Sequence, residues 1–98
     1  MSGRVKRPVV RPAPAVYWAV EDRCTLVVNE TTREVFRLSG LEQVLWDCLE
    51  MGYPPEQVRQ TVSALGKLEQ DAAEREIQAI LEEWRMLGLV ELEECLHG

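Results

Sequence analysis

Three short apolar segments crowd into residues 16–38, and three helical periodicities follow them in unbroken succession to residue 88. Few small folds accommodate that order. Val16-Tyr17-Trp18-Ala19-Val20, Cys24-Thr25-Leu26-Val27-Val28-Asn29 and Arg33-Glu34-Val35-Phe36-Arg37-Leu38 are rich in β-branched and aromatic residues. Glu21-Asp22-Arg23 and Glu30-Thr31-Thr32 break them with short polar connections. Short strands joined this way predict an antiparallel meander. The middle segment is the most continuously apolar, so it is expected between the other two, which become edges. The predicted class is α+β: a winged helix-turn-helix with a three-stranded antiparallel N-terminal meander followed by three α-helices.

The first helix is expected over 40–51, where Leu41, Val44, Leu45, Cys48 and Leu49 share one face. Ser39 with Glu42 three residues on predicts a capping box, and Gly52 a stop. Pro55 opens a second helix over 55–65, with Val58, Val62 and Leu65 inward and Gly66 as terminator. Asp71 is the expected cap of the longest helix, over 71–88, whose stripe holds Ala73, Ile77, Ile80, Leu81, Trp84 and Leu87. Leu89-Val90-Glu91-Leu92 is expected to pack back as an extended tail.

Ninety-eight residues fit one domain. Pro8, Pro12 and Pro14 exclude helix and central strand from residues 1–15, predicting a basic, polyproline-like flexible arm. The body is then 16–92 and the C-terminal tail 93–98. Arg4, Lys6, Arg7 and Arg11 concentrate positive charge in that arm, leaving seven basic against seventeen acidic residues elsewhere, a net charge of −10. Such a body repels nucleic-acid phosphates. The longest helix, with Asp71, Glu74, Glu76, Glu82 and Glu83 against Arg75 and Arg85, is a poor recognition helix for a duplex.

Reactive constellations are missing from the sequence. Cys24, Cys48 and Cys95 are odd in number and in no CxxC spacing, and His97 is the lone imidazole, so neither a metal site nor a nucleophile–base pair is expected. Glu82-Glu83 and Glu93-Glu94 read as solvated carboxylates, and the glycines form no phosphate loop. Trp18, Trp46 and Trp84 are expected to pack in the core rather than form a ligand cage. No apolar run reaches a membrane span, and the N-terminus lacks a secretory apolar region, which makes the cytoplasm the default location. No cofactor is expected, and the chain is expected to work by binding.

The remaining device is the third strand. An edge strand exposes amide and carbonyl groups that either need protection or recruit an extended peptide. Arg33, Glu34 and Arg37 suit the protective role; pairing of residues 34–38 with an incoming strand is the functional one.

The run from Trp18 to Leu92 resembles the PqqD-like domain, or RiPP recognition element, which binds leader peptides of ribosomally made, post-translationally modified peptides. The resemblance rests on the strand pattern ending Phe36-Arg37-Leu38-Ser39, the helix Val44-Leu45-Trp46-Asp47-Cys48-Leu49 with Gly52, the Pro-Glu helix start, Asp71, and the closing Trp84-Arg85-Met86-Leu87-Gly88-Leu89-Val90. It implies a non-enzymatic adaptor that takes the leader as an added strand between third strand and third helix. Its partner would be a radical SAM enzyme, a leader peptidase or a cyclase, in a lasso or related peptide pathway. The leader-facing residues would be Arg33, Glu34, Val35, Phe36, Arg37 and Leu38. The helix wall would fall among Ile77, Gln78, Leu81 and Arg85, with the opposite flank of Glu76, Ile80 and Glu83 as the alternative rotation. The competing readings are a winged-helix DNA-binding regulator and a structural subunit of a larger enzyme.

Overall fold

The computed structural model describes residues 9–93. In chain order these form strands β1 (Val9–Pro12), β2 (Val16–Val20), β3 (Thr25–Asn29) and β4 (Glu34–Leu38). Helices α1 (Leu41–Met51), α2 (Pro55–Gly66) and α3 (Gln70–Met86) follow, and strand β5 (Val90–Glu93) closes the chain. The expected meander is present in the order β2-β3-β4, antiparallel throughout, so β2 and β4 are its edges.

Alternation along these strands divides the sheet into two faces. Trp18, Val27 and Phe36 stand in one cross-strand row toward the helices, whereas Tyr17, Val28 and Val35 form a row on the opposite face. Two hydrogen bonds fix the phase of the ladder: Glu30 N–H donates to Ala15 C=O at 2.9 Å, and Glu21 N–H to Cys24 C=O at 2.8 Å. Odd-numbered residues of β2 therefore bond to β3. Because inward and outward groups alternate, Thr25, Val27 and Asn29 of β3 bond to Leu38, Phe36 and Glu34 of β4.

The helices begin and end somewhat differently from expectation. The capping box at Ser39 and Glu42 does not form; Gly40, at φ 62°, is the N-cap, and its carbonyl receives Gln43 and Val44 N–H instead. Gly66 does not stop α2 but closes its last turn. A Cβ there would lie 3.0 Å from Leu41 Cδ2, so glycine permits the approach to α1, and Lys67 takes the left-handed position after it. Asp71 lies in the first turn of α3, where its charge suits the helix dipole, while Glu69 occupies the cap without a side-chain bond.

The three tryptophans form the spine of the core. Trp46, with no exposed surface, sits between Trp18 and Trp84, with ring centroids 5.5 Å and 5.3 Å away and near-perpendicular planes. This is the favoured edge-to-face geometry, adding to the burial of large rings. Trp46 Nε1 has no hydrogen-bond partner among the described residues, a cost the surrounding packing must offset. Leu45, Leu49, Val58, Val62, Ala73 and Ile77 close the core from the three helices.

The largest departure lies at the chain's two ends. Residues 9–12, expected in the flexible arm, form β1 and pair antiparallel with β5, from Val9 opposite Glu93 to Pro12 opposite Val90. The expected extended tail is thus one strand of a two-stranded ribbon, anchored by buried Leu89 and Val90 and by Ala13 N–H donating to Leu89 C=O at 3.0 Å. Pro12 is tolerated because a two-stranded ribbon leaves alternate amides unpaired. Residues 1–8 and 94–98, including Cys95 and His97, lie outside the described residues.

Candidate functional site

The alternation that bonds Glu34, Phe36 and Leu38 to β3 turns the N–H and C=O of Val35 and Arg37 away from the sheet. Those four groups have no backbone partner among the described residues and form the open edge of β4. Their side chains lie on the outer face, where Val35 is 62% exposed, while Phe36 is half-buried and Leu38 buried on the inner face. Arg33, expected to open the strand, instead stands at φ 66° in the β3–β4 turn, one residue before β4 begins.

Beside this edge lies a hollow of about 110 Å³ lined by Phe36, Arg37, Leu38, Glu42, Glu83, Trp84, Leu87 and Leu89. It separates β4 from the C-terminal half of α3. Ile77 and Trp84 point into the core, so the helix turns the flank of Glu83 and Leu87 toward β4. On helical spacing Ile80 and Glu76 share that flank.

Gln78, Leu81 and Arg85 stand on the other flank. Together with Ile77 they line a separate hollow of about 670 Å³, closed by Leu49, Tyr53, Pro54 and Val58 and by Val10 and Val90 of the ribbon. The expected strand residues and the expected helix wall are therefore not brought together; the alternative flank is the one beside β4. Arg85 is held at the surface by Glu82 at 3.1 Å, and Gln78 donates to Glu74 at 3.1 Å.

Electrostatics at the β4 hollow are uneven. Partial burial, then the nearby Glu83 carboxylate, raises the pKa of Glu42. Arg37 extends over the outer face, its Nη1 3.5 Å from Cys24 Sγ. Burial and Asp47 push the Cys48 thiol up, against a hydrogen bond with Thr61 that lowers it, so its thiolate is scarce at neutral pH. Among the described residues no group of three or more His, Cys, Asp and Glu could hold a metal ion, and no helix is long and apolar enough to cross a membrane.

Sequence reasoning missed Glu42, Leu87 and Leu89 as walls of this hollow. It also missed Asn29. That buried side chain donates to Leu87 C=O at 3.1 Å and Gly88 C=O at 3.4 Å, and accepts from Thr31 N–H at 3.0 Å and Thr32 N–H at 3.4 Å. One amide thus ties the turn before β4 to the end of α3. An Asn beside a polar turn signals a local Asx turn, but nothing local announces a bond 58 residues away.

No protein-family model matches the sequence, and no curated protein matches it. Among solved structures, the chain is similar to TbiB1 in complex with the TbiA(beta) leader peptide. The TM-score is 0.78 at 23% identity, over 83% of this chain and 94% of that one. The two share the α+β fold of a three-stranded meander followed by three helices.

Proposed function

We propose that this protein is a non-catalytic adaptor that binds the leader region of a ribosomally synthesised precursor peptide and presents it to a modifying or processing enzyme. The observation carrying the reading is the free edge of β4, with Val35 and Arg37 turned outward, beside a hollow walled by α3. An extended peptide added there gains main-chain bonds nearly independent of sequence, and its alternate side chains enter the hollow to give selectivity. The shared fold with a protein solved in complex with a leader peptide supports this reading, as does the resemblance to PqqD-like domains.

In this reading Glu34 to Leu38 provide the strand, and Glu76, Ile80, Glu83 and Leu87 the helix wall. Gln78, Leu81 and Arg85 belong to another surface. A radical SAM enzyme, a peptidase or a cyclase is the class of partner that would receive the peptide. The acidic body disfavours duplex DNA as the ligand.

The test is a heteronuclear NMR titration with leader peptides encoded beside the gene. Saturable shifts in Val35 to Leu38 together with Ile80, Glu83 and Leu87 are expected. Shifts confined to Gln78, Leu81 and Arg85, or no shifts with any encoded leader, overturn the proposal.

A further inference from the structure

The hollow of about 670 Å³ on the far flank of α3 has no part in leader binding, yet its size is that of a pocket for a ligand. Its floor is apolar, built from Leu45 and Leu49 of α1, Val58 of α2, and Ile77 and Leu81 of α3. Its rim is acidic: Glu74, Glu82 and Glu91 line it against a single cation, Arg85. Glu82 holds that cation at 3.1 Å, while Glu74 accepts from the neutral amide of Gln78. Arg11 faces Glu91 from within the ribbon, and the balance of the rim remains negative.

Two segments of the chain join the ribbon beside this hollow. Val10 of β1 and Val90 of β5 both line it, and Val9 stands opposite Glu93, so residues 1–8 and 94–98 meet the ribbon at the same end. Residues 94–98 carry Glu94 with no lysine or arginine, a poor match for an acidic rim. Residues 1–8 carry Arg4, Lys6 and Arg7 with no acid, and add Val5 and Pro8 as apolar surface.

We propose that residues 1–8 of this same chain fill the hollow as a strap, with Val5 and Pro8 over the apolar floor and the three cations against the rim. Eight extended residues reach about 26 Å. The axis of α3 from Glu74 to Arg85 covers about 16 Å, so the segment is long enough to cross. Exposed ion pairs are individually weak, but a short tether gives an effective concentration in the millimolar range, at which weak contacts close. A second copy has no such tether, and its acidic body is repelled. The strap covers the flank of Gln78 and Leu81 and leaves that of Glu83 and Leu87 open, so it does not depend on leader binding at β4.

Nuclear Overhauser spectra of the isotope-labelled full chain, recorded without any leader peptide, test the inference. At low ionic strength, contacts are expected from the Val5 methyls to the methyls of Leu49, Ile77 or Leu81. Raising salt to about 1 M, where the Debye length is about 3 Å, should weaken them several-fold. The triple variant Arg4→Glu, Lys6→Glu, Arg7→Glu leaves β1 and the core untouched and should abolish them, with Trp18 and Trp84 signals unchanged. Glu74→Gln should weaken them from the other side. Absence of any contact between residues 1–8 and the hollow at low salt overturns the inference and leaves the hollow to another occupant. Contacts that persist undiminished in the triple variant and in 1 M salt also overturn it, because charge would then not hold the segment in place.

Discussion

Adjacent residues of β4 carry opposite roles, and proline separates them. Val35 N–H points to solvent and Phe36 N–H into the ladder. Val35→Pro should therefore fold normally and weaken leader binding about five- to tenfold, the worth of roughly one backbone bond and a disturbed edge. Phe36→Pro should lower the unfolding midpoint sharply, because a ladder donor is lost beside β3. Isothermal calorimetry and urea denaturation distinguish the two. At Glu42 the raised pKa means the charged form is disfavoured in the folded state. Its contribution makes stability fall as pH rises through the folded pKa, and recover as pH falls back through it. Glu42→Gln should accordingly raise Tm at neutral pH and give a smaller gain in mild acid, as thermal unfolding at the two pH values will show. Buried Cys48, with its thiol pushed up, should react with a disulfide reagent only as the protein unfolds.

At the scale of elements, α3 tests the site most directly. Leu87→Ala should weaken leader affinity several-fold through lost apolar contact, whereas Leu81→Ala should leave it unchanged while costing some stability. Equal effects would mean that both flanks contribute. The strands were legible because their alternation is local, and Val16–Val20 has the expected bounds. The rotation of α3 was not legible, because Ile80 and Glu83 on one flank resemble Leu81 and Glu82 on the other in polarity. Only the tertiary placement of Ile77 and Trp84 distinguishes them. Strand β1 was hidden for a related reason: its valines lie among prolines, and the partner that makes them a strand is at the far end of the chain. Gly66 misled through chemistry that is real in general, since a glycine after an apolar run commonly ends a helix. Here the close approach of Leu41 favours it one residue earlier.

For the whole molecule, the β1–β5 ribbon joins the two ends of the chain to the helices. Removing residues 1–12 should expose Val90 and cost about 1–3 kcal/mol in urea unfolding, through apolar surface returned to water. An unchanged midpoint would reduce the ribbon to an ornament of the fold.

Asn29 has a consequence for timing. With one side chain holding both the turn before β4 and the last carbonyls of α3, the two walls of the hollow cannot drift apart independently. If the protein binds a leader as proposed, the hollow is already shaped before the peptide arrives, and the entropy lost on association falls on the peptide. Association rates should then follow how readily each leader extends, and leaders stiffened by proline outside the paired positions should associate fastest.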